Sequence, residues 1–137
     1  MIQLKSIIEE VFKCQIWNLE TVTLPMLNGW FVHDQKPLIT LDNGVVIGSL
    51  KVAIQRYPEI IERCHNAFQQ AEKDELTLLN EQQYTDGVFI YVPDNMRVQV
   101  PFQIISIVDA QSDLLVQNRH VVYVGKNAEM SLIQCDD

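Results

Sequence analysis

The segment from residue 86 to residue 101 constrains the fold more than any other part of this chain. Asp86-Gly87 is a typical turn pair, and the residues from Val88 to Val92 alternate in the manner of a strand. A Pro-Asp-Asn turn follows, and the alternation then resumes over residues 96–100. Short strands without an intervening helix cannot build a βαβ sheet, so the second half is predicted to be a hairpin meander, a sandwich fragment or a β-solenoid coil.

Short strands are predicted throughout the part of the chain beyond Gly87. They cover residues 88–92, 96–100, 102–108, 114–116, 118–124 and 128–133. The recurring turn signals between them are typical of a solenoid whose inward residues stack from coil to coil, although no strict repeat period is present. A sandwich-like meander is the alternative. The turn at Asp86-Gly87 further predicts a positive φ at Gly87.

The first half of the chain combines helix signals with a small sheet, which is expected to cover the helices. Predicted helices cover residues 1–13, 49–56, 71–84 and a stretch that begins at residue 58. Ser49 is the predicted N-cap of one helix, and Pro58 fits the first turn of the next, where its missing N–H costs nothing. The small sheet lies within residues 15–32, with a hairpin turn at Asn28-Gly29.

Composition and charge exclude several classes of function. The 137 residues fit one domain, and 47% of them are hydrophobic, yet no apolar run is long enough to cross a bilayer. Ten basic against eighteen acidic residues give a net charge of −8, which argues against nucleic-acid binding and against anionic membrane surfaces. The first residues do not read as a signal peptide, so a cytoplasmic location is expected.

The cysteines and histidines suggest structural roles. Cys14, Cys64 and Cys135 are far apart, so neither a disulfide framework nor a zinc site is expected, and free thiols fit a reducing compartment. His65 follows Cys64 on a predicted helix, where adjacent side chains diverge by about 100° and cannot share a metal. The carboxylates of Asp136 and Asp137 would keep the Cys135 thiol protonated.

The run from Asn118 to Val124 contains the best-placed histidine. If Val122 points inward, His120 points with it, and the expected role is a hydrogen-bonded histidine; a partner contact or a metal ligand is the alternative. Arg119 would then face outward with Val121 and Tyr123 as a contact surface. His33 lies in a predicted loop and is expected to be solvated.

No pattern for catalysis is present. The chain has no nucleophile elbow, phosphate loop, dinucleotide fingerprint or HExxH pair. A polysaccharide-cleaving solenoid would need acids projecting from neighbouring coils, but those beyond Val88 fall at predicted turns: Asp94, Asp109, Asp113 and Glu129. We therefore expect no enzyme, no catalytic residue, no cofactor-binding residue and no metal ligand in this chain.

Six segments in a fixed order carry a family resemblance. They begin at residues 44, 57, 74, 86, 96 and 118 and read GVVIGSL, YPEII, DELTLLN, DGVFIYVP, MRVQVP and NRHVVYV. In this order they resemble the SufB/SufD family of iron–sulfur cluster assembly proteins, and SufD more closely than SufB. The resemblance runs from about Val11 to the last residue. None of the segments is diagnostic alone, but the shared order makes coincidence improbable.

The resemblance implies an α+β fold with a small N-terminal α/β cap over residues 1–87, followed by the opening rungs of a right-handed parallel β-helix over 88–137. It implies a non-catalytic, SufD-like part of an iron–sulfur cluster assembly scaffold, with SufB-like and SufC-like partners. In the family complex ATP is bound by SufC. The family's cluster-assembly residues lie in later rungs, so none is carried over. A shortened stand-alone interaction module is the alternative. Self-association through the exposed β-helix end is expected in either case.

Overall fold

The computed structural model describes residues 21–33, 36–69, 84–108 and 118–136. These residues form a mixed α+β fold, as predicted. The strands are β1 (Val22–Leu27), β2 (Trp30–Phe31), β3 (Leu38–Thr40), β4 (Val46–Ser49), β5 (Val88–Val92), β6 (Phe102–Ile107), β7 (Val121–Val124) and β8 (Leu132–Asp136). The helices are α1 (Leu50–Arg56) and α2 (Pro58–Gln69).

The described strands form two four-stranded sheets. Sheet 1 has the order β2-β1-β6-β8, and sheet 2 has the order β3-β4-β5-β7. Pairing is antiparallel between β1 and β2, between β3 and β4, and between β4 and β5. It is parallel between β1 and β6, between β6 and β8, and between β5 and β7. The described strands do not close the two sheets into one surface.

Two successive strand–turn–strand units lie side by side in parallel. The first unit is residues 88–107 and the second unit is residues 121–136. In the turns, the Lys126 N–H donates to Asp94 Oδ1 at 2.7 Å, and Asn127 Nδ2 donates to Asn95 Oδ1 at 3.5 Å, each pair 32 residues apart. Asn95 and Asn127 share a left-handed backbone, with φ of 61° and 60°. The turn at residues 126–127 in the second unit therefore has the same conformation as the turn at residues 94–95 in the first unit and stacks on it.

The main core lies between the two sheets, where strand alternation directs every second side chain. Sheet 2 contributes buried residues that include Ile47, Ile90 and Val92, and sheet 1 contributes Met26 and Phe102. Met96 and Val98, from the turn region between the sheets, pack against the same cluster. The predicted alternation over residues 88–92 is therefore confirmed.

The two helices cover the outer face of sheet 2. Phe89 and Leu38 from this sheet pack against Leu50 and Ala53 of α1, and Ile60 of α2 joins the same cluster. Ser49 caps α1, and α2 begins at Pro58, so both helix starts are confirmed. The expectation that the first small sheet covers the helices is wrong, because the β1–β2 hairpin belongs to sheet 1 and the helices pack on sheet 2.

Three strand predictions need correction, and others fall outside the described residues. Residues 96–100 form no strand and contribute only an isolated bridge between Arg97 and Glu129. The strand predicted over 118–124 is limited to β7, and the one predicted over 128–133 is displaced to β8. The residues of three predicted elements lie outside the described part, wholly or nearly so: 1–13, 71–84 and 114–116. The boundary at residue 87 between the two proposed domains stays a prediction.

Candidate functional site

A buried carboxylate joins three parts of the fold. Asp86 is 3% exposed. Its carboxylate accepts hydrogen bonds from Ser49 Oγ at 3.0 Å, from the Phe31 N–H at 3.1 Å and from the Lys51 N–H at 3.1 Å. These donors belong to the β1–β2 hairpin and to the start of α1. The Arg119 N–H adds a bond of 3.1 Å to the Asp86 carbonyl oxygen, which ties in the approach to the second unit.

This arrangement, which we call the Asp86 junction, consists of Phe31, Ser49, Lys51, Asp86 and Arg119. A buried charge is tolerated only when donors surround it, and the donors here satisfy that condition. The junction therefore holds the β1–β2 hairpin, the start of α1 and the backbone at Arg119 in fixed positions relative to one another. Sequence reasoning missed it, since Asp86 was interpreted only as a turn residue and its donors lie 35 to 55 residues away along the chain.

Gly87 is required for a reason other than the predicted one. Its φ is not positive, unlike those of Gly29, Gly44 and Gly48, so the predicted left-handed turn is wrong. A Cβ atom at Gly87 would overlap the backbone carbonyl oxygen of Arg119. The close approach follows from the parallel bridge between Asp86 and Asn118, which brings two backbones together at this point.

His120 is held by the backbone of the first unit. Its Nδ1 accepts a hydrogen bond from the Val88 N–H at 2.9 Å, and the side chain is half-buried. Nδ1 therefore carries no proton in this arrangement, and the predicted hydrogen-bonded histidine is the interpretation the geometry supports. Val122, two residues further on, packs against the core between the sheets as expected.

The predicted contact surface of Arg119, Val121 and Tyr123 is not an open one. Val121 packs into the cluster beneath the helices, and Tyr123 stacks on Tyr91 with ring centroids 5.3 Å apart. Burial raises the pKa of the nearby Tyr84 phenol, while the charge of Arg119 acts in the lowering direction and that of Asp86 in the raising direction. Arg119 thus interacts with neighbours inside the fold.

The thiols differ from expectation at one position. Cys64 is free and half-buried, and burial raises the pKa of its thiol, which leaves it with little reactive thiolate at neutral pH. His65 beside it is exposed, so the two side chains do diverge. Cys135 is buried and disulfide-bonded, so the expectation of free thiols is wrong for this residue.

The remaining candidate residues have structural or solvent contacts. The Asp94 carboxylate accepts the Lys126 N–H, and Glu129 lies 4.0 Å from Arg97 in an exposed pair of the kind that contributes little to stability. His33 is exposed in a loop, and Asp109 and Asp113 lie outside the described residues. Across the described part of the chain, no three His, Cys, Asp or Glu side chains are grouped so that they could hold a metal ion.

The described structure leaves one end of the main core open. Val92 and Phe102 of the first unit are completely buried. Their parallel partners in the second unit, Val124 and Leu132, are 42% and 41% exposed. Among the described strands, none pairs with the outer edge of β7 or β8. We call Val124, Leu132 and these two strand edges the open end.

No helix in the described ranges has both the length and the apolar character needed to cross a membrane.

Comparison of the sequence with known proteins identifies a family. Residues 1–104 match the family model for the SufBD protein N-terminal region. An iron–sulfur cluster assembly SufBD family protein of Pyrococcus horikoshii is 27% identical over 92 residues, which is 66% of this chain and 20% of that relative. The chain therefore corresponds to about a fifth of the curated relative. Because the family model covers most of its length, the chain belongs to the SufBD family.

Proposed function

We propose that this chain is a non-catalytic, SufD-like component of an iron–sulfur cluster assembly scaffold. Family membership supports a role in cluster assembly. The described contacts support a scaffold, because the Asp86 carboxylate, the most deeply buried polar side chain among the described residues, receives its donors from the β1–β2 hairpin and from the start of α1. The alternative of a stand-alone interaction module has no specific observation in its favour.

We further propose that the two parallel units are the opening coils of a right-handed parallel β-helix. The observation that carries this proposal is the parallel stacking of the two units: the turn contacts and the bond between Val88 and His120 each join residues 32 apart, and β6 pairs with β8 through Phe102 and Leu132, which are 30 apart. Stacking of each strand and turn on its counterpart at a nearly equal offset is what successive solenoid coils show. Crossovers between parallel strands of one sheet are nearly always right-handed, which favours that hand for the path from β5 to β7.

The partners that we propose are SufB-like and SufC-like subunits, in the cytoplasm, with ATP bound by the SufC-like subunit. The isolated chain is also proposed to associate with itself. The open end supports this, since its apolar side chains are exposed where those of the first unit are buried. Unpaired strand edges are templates for further pairing. The net charge of −8 keeps such assemblies soluble without preventing the contact.

Co-purification tests the functional proposal. The tagged chain would be expressed together with SufB-like and SufC-like subunits from the same genome, and the complex would be isolated by affinity and sized. We expect both subunits to be retained. A chain that folds, by circular dichroism, and retains neither subunit would contradict the proposed scaffold role.

A pair of substitutions tests the open end separately. Val124→Lys and Leu132→Lys place charges on exposed positions of the second unit. Ile39→Lys is the control: it places a charge on β3, the opposite edge strand of sheet 2, at a position of similar exposure. We expect the first two variants to dissociate at concentrations at least tenfold higher than wild type in light scattering, and Ile39→Lys to behave as wild type. A monomeric wild-type chain in screening salt would overturn self-association while leaving the scaffold role standing.

A further inference from the structure

One hydrogen bond between the two units has a side chain that titrates as its acceptor. The Val88 N–H donates to His120 Nδ1 at 2.9 Å. This contact lies one position before the point where β5 and β7 begin to pair, at Phe89 and Val121. An imidazole changes its charge near neutral pH, whereas a backbone carbonyl acceptor does not. The contact therefore introduces a proton-dependent group where the second unit begins.

The direction of this hydrogen bond fixes the state of the imidazole. A backbone amide can only donate, so Nδ1 must offer its lone pair and the imidazole is neutral. A protonated imidazole carries an N–H on both ring nitrogens and can no longer accept the Val88 N–H. We propose that His120 is a pH-sensitive latch, which holds the start of the second unit on the first when neutral and releases it when protonated.

The neighbouring contacts make this release a local one. The parallel bridge between Asp86 and Asn118 and the bond of 3.1 Å from the Arg119 N–H to the Asp86 carbonyl oxygen lie beside the latch. The turn contact between Asp94 and Lys126 lies beyond the other end of β7 and involves no histidine. Acidification should therefore loosen the start of the second unit and leave the stacked turns in place.

The latch is surrounded by elements that carry both signs of charge. Lys51 and Arg119 carry positive charge, which opposes a further positive charge on the imidazole, whereas nearby carboxylates favour it. The substitutions that test the latch must therefore remove the imidazole and leave these charges unchanged. The titratable residues of the described elements that meet near the latch are Lys51, Tyr84, Asp86, Arg119 and Asp136.

The pH dependence has a defined sign. In the unfolded chain a histidine has a pKa of about 6.5, so the imidazole takes up a proton as the pH falls through that value. The closed latch requires the neutral form, so the unfolded chain binds more protons than the folded one in this range. Stability then rises with pH. The contribution of the latch is present above about pH 7 and is lost as the pH falls towards 5.

His120→Asn tests the latch against titration. Its amide oxygen lies as far along the side chain as Nδ1 and can accept the Val88 N–H, but it does not titrate. Urea unfolding would be measured at about pH 7.5 and about pH 5.5. We expect acidification to raise the unfolding constant of wild type about fivefold to tenfold more than that of His120→Asn, as the uptake of one proton predicts.

His33→Asn is the matched control, because His33 is exposed in a loop and should leave the pH dependence of wild type unchanged. An equal response to acidification in wild type and in His120→Asn would overturn the proposal.

A second measurement needs no variant and remains decisive if His120→Asn fails to fold. Amide hydrogen exchange of the wild-type chain would be followed by NMR at the same two pH values and corrected for the intrinsic exchange rates. We expect the protection of the Val88 amide to fall at least fivefold more than that of the Lys126 amide, which donates to Asp94. Equal changes at both amides would show that protonation does not open this contact.

Discussion

At the scale of single residues, the most consequential contacts join positions that are distant in sequence. The Asp86 carboxylate collects three donors, and Gly87 allows the backbone of Arg119 to approach closely. Neither role depends on the local turn that Asp86-Gly87 would form in isolation. The role of Gly87 follows from the parallel bridge between Asp86 and Asn118, and the role of Asp86 follows from the positions of the β1–β2 hairpin and the start of α1.

Gly87→Asn tests whether the close approach, rather than the backbone dihedral, demands glycine. The added Cβ would overlap the Arg119 carbonyl, so we expect a loss of about 1–3 kcal/mol in the free energy of unfolding, as for other overpacked sites. Gly44→Asn is the matched control, because Gly44 has a positive φ that Asn tolerates and only Pro93 Cγ at 3.5 Å nearby. Urea unfolding measures both. Equal stability of wild type and Gly87→Asn would contradict the overlap.

Asp86→Asn tests the junction. The substitution replaces one acceptor oxygen of the carboxylate by an NH₂ group, which can only donate. This NH₂ group would face N–H or O–H donors that now bond to the carboxylate, so at least one hydrogen bond is lost. We expect a loss of about 1–3 kcal/mol in the free energy of unfolding. Asp42→Asn, at an exposed loop position, should change it by less than about 0.5 kcal/mol. Similar small effects in both variants would mean that the junction contributes little.

At the scale of elements, the sequence predicted what alternation and capping determine, but not pairing. The β5 alternation, the Ser49 cap and the Asn28-Gly29 turn are local signals, and all three were confirmed. Residues 96–100 alternate because Met96 and Val98 pack inward, yet they form no strand, so inward packing was mistaken for pairing. Parallel register depends on the neighbouring unit, which local periodicity does not encode.

The Tyr91 ring stacks on the Tyr123 ring and links β5 to β7. We predict that this stacking stabilises the pairing of the two strands. Tyr123→Ala removes a cross-strand aromatic pair, worth about 0.5–1.5 kcal/mol beyond the buried area, so a clear loss of stability is expected. Tyr123→Phe keeps the ring and should stay close to wild type in thermal unfolding. If the two substitutions were equally harmful, the hydroxyl rather than the stacking would be responsible.

At the scale of the whole molecule, the described elements pack in layers. Sheet 2 is covered by α1 and α2 on its outer side, and the main core lies between the two sheets. The Asp86 junction could not be predicted from the sequence for a physical reason. It depends on which distant segments meet, and a local signal such as the Asp86-Gly87 turn pair does not specify that.

We also predict that the purified chain holds no iron, zinc or nucleotide tightly. The sequence has neither clustered thiols nor a phosphate loop, and a stable metal centre needs several converging ligands. Anaerobic incubation with iron and sulfide, followed by desalting, should leave a colourless protein. A stoichiometric chromophore that Cys135→Ser abolishes would contradict this prediction, and Cys64→Ser is the control for incidental thiol binding.

The pairing of β1 with β6 has a consequence for synthesis on the ribosome. Val22 pairs with Phe102, so β1 emerges some 80 residues before the strand that receives it. At ordinary translation rates the interval is roughly 4 to 16 seconds, long compared with hairpin formation. The β1–β2 hairpin must therefore wait with an unpaired edge, and we expect a pulling-force signal from arrested nascent chains only after Ile107 has left the exit tunnel. A chaperone that occupies the edge of β1 during that interval would protect the chain from aggregation.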